Sequence, residues 1–258
     1  MKHPMTQQGA TPDEKKPKLT PPCGYWVEDL PEPDEPPVAM PVSWLERPNH
    51  LDDVFLELSR TDELPRGLMI WLLLGMAIIW IFLWLLALGD LELIKLLLLF
   101  TPVGLWLGMS MWKTEVETPR DMPIRFNRAR QRLYAYNFVH KAWNPFERWR
   151  VVPVVYEWSQ VRAERTWTSP SICREDIVLS IVKPGTNEVI DRFRLNDQQS
   201  GFLTWAYVRA YMQQGPDALP PPGTPKDHND IPWYNAALLL APKVNWPADM
   251  DLESRTAP

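Results

Sequence analysis

Cysteine is almost missing from this chain: Cys23 and Cys173 are the two in 258 residues, far apart and with no CxxC neighbour. That excludes a disulfide-framed secreted domain and agrees with a reducing compartment. A strong charge of either sign is missing too. The formal net charge is −5, which argues against a nucleic-acid partner. The motifs that carry enzymatic chemistry are also lacking, with no P-loop, GxGxxG, HExxH or GxSxG. The four histidines, His3, His50, His140 and His228, stand alone. Pairs such as Glu115 with Glu117, or Glu175 with Asp176, read as solvated carboxylates and not as a working acid and base. The expectation is a protein with no catalytic residues, no metal site and no cofactor.

Proline is scarce only in the middle. Of 28 prolines, 11 lie in residues 1–49 and 9 in residues 216–258. Because proline removes a backbone donor and breaks helix interiors, both ends are poor material for regular structure. Residues 1–49 are therefore expected to be a disordered proline-rich arm, and 216–258 a proline-rich tail. PxxP spacing occurs at Pro33 and Pro36, as chance allows in so proline-rich a stretch. Tyr25, Trp26 and Trp44 are large aromatics for an arm to expose, and docking on the protein's own folded domain accounts for them. Next comes HLDDVFLELSR, in which Leu51, Val54, Phe55 and Leu58 are spaced by three and four. That spacing predicts a short amphipathic helix within residues 50–64.

The mean hydropathy of −0.27 hides two long apolar runs. Residues 67–88, GLMIWLLLGMAIIWIFLWLLAL, hold no charge over 22 positions and no polar face, enough for a helix to cross a hydrocarbon core of about 30 Å. Residues 91–112 form a second run whose charges, Glu92 and Lys95, lie near its start. Its uncharged part, 96–112, is 17 residues and includes Pro102, so it is the shorter span and is expected to kink. The first run begins too far from Met1 to be a signal peptide. Together they predict a transmembrane hairpin over residues 65–113. Arg47, Arg60 and Arg66 precede it, and Lys113, Arg120, Arg125, Arg128, Arg130 and Arg132 follow it, which places both termini in the cytoplasm.

Beyond the hairpin the pattern becomes alternating. In PIRFNRARQRLYAYNF, Ile124 and Phe126 share one face and Arg125 and Asn127 the other, with a turn at residues 128–131 and a second alternating run after it. Further strands are expected at 149–155, 161–166, 177–182 and 188–194, the last two joined by the turn KPGTN. NDQQSGFLTWAYVRAYMQQG then predicts a helix capped by Asp197, with Phe202, Trp205, Tyr207, Val208 and Met212 as its apolar stripe. Residues 120–215 thus read as a small α+β domain: an antiparallel barrel or bent sheet of about six strands, capped by a C-terminal helix.

The order of a two-helix hairpin, PIRFNRARQRLYAY, VVPVVYEWSQVRAE and WAYVRAYMQQGPDALP resembles an uncharacterised family of bacterial inner-membrane proteins. The cytoplasmic part of that family is similar to a pleckstrin-homology-like domain, and its members often accompany type VI secretion and polymorphic-toxin loci. The resemblance covers about residues 65–222. It implies a multi-pass inner-membrane protein acting as an immunity or accessory protein, with a toxin or secretion component as partner. It transfers no binding residue. The alternative is a membrane-anchored scaffold that binds lipid or protein and is unrelated to toxins.

Two residue sets are the sites this reading offers. Arg125, Arg128, Arg130 and Arg132 begin 13 positions after the second run. Such a cluster can set topology, attract anionic lipid headgroups or meet a protein or phosphate ligand. Gly104 and Gly108 form a GxxxG that suits close helix packing, either inside the hairpin or between two copies of it. A third set, Lys141, Trp143, Arg148, Trp149 and Arg150, resembles a loop tip at a membrane interface, although its tryptophans equally suit a core.

Overall fold

The computed structural model of the chain describes residues 16–36, 48–60, 66–141, 143–169, 172–196, 201–221 and 231–258. Ahead of the apolar runs lie strands β1 (Trp26–Asp29), β2 (His50–Leu51) and β3 (Phe55–Leu58). The runs themselves form α1 (Leu68–Leu86) and α2 (Leu91–Glu117). Strands β4 (Ile124–Asn127), β5 (Arg132–Val139), β6 (Arg150–Glu157), β7 (Val161–Ser169), β8 (Ile172–Val182) and β9 (Val189–Asn196) follow. The chain ends in α3 (Gly201–Gln214), α4 (Ala236–Leu240) and α5 (Ala248–Arg255).

The protein is α+β. Both α1 and α2 are long and apolar enough to cross a membrane, and no residue of α1 is buried by the rest of the chain. Asp90 accepts from the amides of Glu92 and Leu93 and so caps α2, satisfying donors that a helix start leaves open. Pro102 lies inside α2 without ending it, and the helix runs five residues beyond the expected Trp112 to Glu117.

The strands form two antiparallel sheets, and among the described residues they do not close into a barrel. The first has the order β2-β3-β4-β5-β6 and the second β1-β7-β8-β9. In the first, β3 pairs with β4 through Phe55 to Asn127 and Leu58 to Ile124. The helical hairpin is therefore an insertion in the connection between two neighbouring strands. The β4–β5 hairpin turns at Arg128–Gln131 as its sequence predicts, with Asn127 accepting from the Arg130 amide and Gln131 in the left-handed region at φ 52°. The inner faces of the two sheets meet in one core. Leu56, Leu58, Ile124, Phe126, Leu133 and Ala135 from the first face Val161, Ala163, Ile177, Leu179 and Ile181 from the second, and Trp205, Val208 and Met212 of α3 complete it.

Three expectations are corrected. Residues 50–58 are a β-hairpin and not an amphipathic helix. Asp52 accepts from the amides of Val54 and Phe55, which favours a turn, and FLEL alternates with Leu56 and Leu58 inward. Over so few residues the two periodicities coincide, and the partner that decides, β4, lies beyond the hairpin.

The N-terminal arm is not free over residues 16–36. Strand β1 pairs with β7, Leu30 enters the core, and the carbonyls of its PEPDE segment are taken up by α3. Trp205 donates to Pro31 at 3.0 Å, Gln213 to Pro33 at 2.5 Å, and Arg209 to Glu35. These three residues are spaced by four, so they make one stripe of the helix. Proline has carbonyls to offer but no N–H, which suits it to this one-sided docking. Trp44 and Asp197 lie outside the described residues.

The C-terminal tail is likewise ordered over residues 231–258. It crosses the outer face of the first sheet, where Trp246, Val244 and Met250 pack on Tyr134, Tyr136, Val151 and Val155. The two proline-rich ends thus form straps, the C-terminal one over the outer face of the first sheet and the N-terminal one joined to the second sheet and to α3.

Candidate functional site at the base of the helical hairpin

The hairpin joins the domain through polar residues at its base. Arg66 donates to the carbonyls of Pro119 at 2.6 Å, Glu115 at 3.1 Å and Thr118, closing acceptors that the end of α2 leaves open. Glu115 accepts from the Gly67 amide at 2.7 Å. Asn235 donates to the Arg66 carbonyl at 2.7 Å and accepts from Leu238, so it caps α4 while holding the base. Gly67 has φ 100°, and a Cβ there would collide with the Asn235 side chain. Both helices are thereby fixed to each other and to the C-terminal strap. Arg120 adds a further tie, donating to the carbonyls of Ala241 and Leu239, each at 3.2 Å.

Arg60 sits where the chain leaves β3 for the hairpin. It donates to Met122 at 2.9 Å, to Asn137 at 2.9 Å and to Tyr136 at 2.8 Å, and lies 5.4 Å from the Phe193 ring centroid of the other sheet. Burial pushes its guanidinium down to about 10, against the opposing pull of Asp121.

Beside the base, the β5–β6 loop comes down along α2. Lys113 donates to the carbonyls of Pro145 at 2.9 Å and Glu147 at 2.6 Å, with its ammonium 4.9 Å from the Trp149 ring. Trp143 stacks on Trp106 with centroids 6.2 Å apart. A gap of about 310 Å³ remains here, lined by Met69, Trp106, Leu107, Met111 and Trp143, with Ser110, Thr114 and Glu115 as its polar members. Of the third sequence set, Trp149 is buried, while Lys141, Trp143, Arg148 and Arg150 are exposed.

The arginine cluster is not a single basic surface. Arg125 is 3% exposed, bonded to Glu57, to Asp251 at 2.7 Å and to Ser254 at 2.7 Å, and lies over the Trp246 ring at 4.6 Å. Arg130 donates to the Thr256 carbonyl at 3.0 Å and the Ala257 carbonyl at 2.9 Å. Arg132 holds Glu157 at 2.9 Å and Glu253 at 2.5 Å. Arg128 turns the other way, its guanidinium beside Gly215. Three of the four thus fasten the C-terminal strap and do not form one lipid-facing patch, which is one of the roles their spacing leaves open: the buried Arg125 guanidinium needs local acceptors, and Asp251 and Ser254 of α5 supply them, while Arg130 and Arg132 hold Thr256, Ala257 and Glu253. The GxxxG separates as well. A Cβ added at Gly108 would meet Leu73 of α1 at 4.0 Å, whereas one added at Gly104 would meet open space.

One polar cluster was missed in the sequence. Glu164 of β7 is fully buried, bonded to Ser180 of β8 and to Arg192 of β9 at 3.2 Å, and it accepts from the Cys23 amide at 3.3 Å. Arg192 also donates to the Pro21 carbonyl. Burial, then the Glu164 charge, raises the Cys23 thiol above its usual range. The cluster pins the N-terminal strap to the second sheet much as Arg125 pins the C-terminal one. A polar residue on the non-core face of a strand signals only solvent unless the strap above it is known. Among the described residues no three His, Cys, Asp or Glu side chains are grouped to hold a metal.

Residues 101–258 match the model of a family of unknown function (DUF6708), and the chain belongs to that family. The match begins within α2 and covers β4 to β9, α3 and the C-terminal strap, leaving out β1, β2, β3 and α1. No curated protein and no solved structure matches the chain.

Proposed function

We propose that this member of a family of unknown function is a non-enzymatic, multi-pass membrane protein whose domain works at the bilayer surface by binding another protein. The observation that supports it best is the insertion of two bilayer-length helices between β3 and β4, with both helix ends clamped by Arg66, Glu115 and Asn235. A domain built from segments on both sides of a hairpin keeps those segments on one side of the membrane, and the flanking basic residues favour the cytoplasmic side. Partners would then meet a rigidly oriented domain. The resemblance to inner-membrane proteins of type VI secretion and toxin loci makes an immunity or accessory role the specific form of this proposal, with a toxin or secretion component as partner. Expressing the chain beside a toxin encoded by a neighbouring gene is the test. Survival above that of an empty vector is expected for an immunity protein, and survival equal to it overturns that role.

A second reading rests on the two antiparallel sheets sharing one core with α3. This arrangement is what a pleckstrin-homology-like domain would present, and it fits a membrane-anchored scaffold unrelated to toxins. Chemical crosslinking of intact membranes separates the readings. Capture of a toxin or secretion component favours the first, and capture of other membrane proteins alone favours the second.

A further inference from the structure

We infer that the β5–β6 loop is a second membrane-insertion element, whose aromatic tip enters the same leaflet in which the hairpin begins; this rests on the reading that α1 and α2 cross a bilayer. In an antiparallel meander, alternate connections lie at the same end of the sheet. The β3–β4 connection holds the hairpin, so the β5–β6 connection must emerge next to it, and it does: Lys113 of α2 bonds to Pro145 and Glu147.

Depth follows from the helix. Lys113 is the first charged side chain after Lys95 in α2, so it marks the headgroup level on the domain side. Trp106 is seven residues earlier, about 10 Å further in at 1.5 Å per residue. Trp143 stacks on Trp106, so the loop reaches below the headgroups. Trp143 and Phe146 are each 78% exposed, which is costly for large rings in water and favourable in a leaflet. The exposed Lys141, Arg148 and Arg150 flank this tip, where anionic headgroups would meet them. The gap of about 310 Å³ between the loop and α2 is walled mainly by apolar side chains, a lining suited to a lipid acyl chain.

The test uses the full chain in nanodiscs of phosphatidylcholine and phosphatidylglycerol. A benzophenone side chain is placed at Trp143, Phe146, Met109 of α2, or Asn187 of the β8–β9 turn, and lipid adducts are read by mass spectrometry. Lipid adducts at 143, 146 and 109 but not at 187 are expected. Adducts at 109 without any at 143 and 146 overturn the insertion of the loop and leave the hairpin reading standing. No adduct at 109 overturns the hairpin reading and the inference with it.

Discussion

Arg125 of β4 and Asp251 of α5 meet at 2.7 Å from positions 126 apart in the chain. The same guanidinium neutralises Glu57, which is 16% exposed. Removing the cation leaves the half-buried Glu57 without its counter-charge and Asp251 with Arg255 alone, and it empties a site in which the guanidinium is 3% exposed. Arg125→Ala is therefore expected to destabilise the domain by about 3–5 kcal/mol and to release the C-terminal strap. Limited proteolysis in nanodiscs should show new cleavage beyond Pro242 in the variant and none in the wild type.

Trp246 closes the outer face of the first sheet, packing edge-on against Tyr136 with centroids 5.2 Å apart. Trp246→Ala opens a cavity over Tyr134 and Tyr136 and should cost about 3 kcal/mol. Thermal unfolding followed by near-ultraviolet circular dichroism checks it, with the far-ultraviolet helical signal unchanged before the transition.

The strap should also respond to acid. Glu253 is held below the usual carboxylate range, first by the hydrogen bond from Arg132, with its slight burial opposing. A carboxylate depressed in the folded state binds fewer protons there than in the unfolded chain. Its contribution is therefore full above an ordinary value of about 4.5 and is lost as pH falls through the folded value. The side chain is 35% exposed, so screening limits the effect to about 0.5 kcal/mol. The difference in thermal midpoint between wild type and Glu253→Gln should shrink from about pH 6 to about pH 3. A difference that does not change with pH would assign it to shape alone.

At the other strap, Arg192→Ala leaves the buried Glu164 without its counter-charge and removes a donor to Pro21. A loss of about 3 kcal/mol is expected. Hydrogen exchange should rise across residues 18–30 and stay unchanged across residues 248–255, because the two straps lie on different sheets.

Gly67→Ala puts a side chain into a left-handed position against Asn235, at a cost of about 1–2 kcal/mol from the backbone alone. Combining it with Asn235→Ala removes the collision, so the double variant should lose less stability than the sum of the singles.

The helical hairpin was legible from its uncharged length, and strands β4 to β9 and helix α3 from their local patterns, as Ile124 with Phe126 against Arg125 with Asn127 shows. The outer faces were not. Arg125, Arg130 and Arg132 look like a basic surface until residues 251–257, more than 100 positions later, supply their acceptors. Likewise β1 and β3 are too short to announce themselves, and their partners β7 and β4 lie far along the chain. Proline content signalled segments unable to form ladders on both edges. Such segments can still lie on a surface whose side chains supply the donors, as Trp205, Arg209 and Gln213 do.

The insertion of α1 and α2 between β3 and β4 also sets the order of assembly during synthesis. Strand β3 leaves the ribosome before either helix, but its partner begins at Ile124, after both. Until then Leu56 and Leu58 have no sheet to join, and closing so long a loop by diffusion is slow compared with local hairpin formation. Docking of α1 on α2 shortens that search, since it brings Gly67 beside Glu115 and so carries β3 to within a few residues of its place. The helical hairpin is therefore the template on which the first sheet is completed, and a hairpin whose helices fail to dock would leave β4 without its neighbour β3.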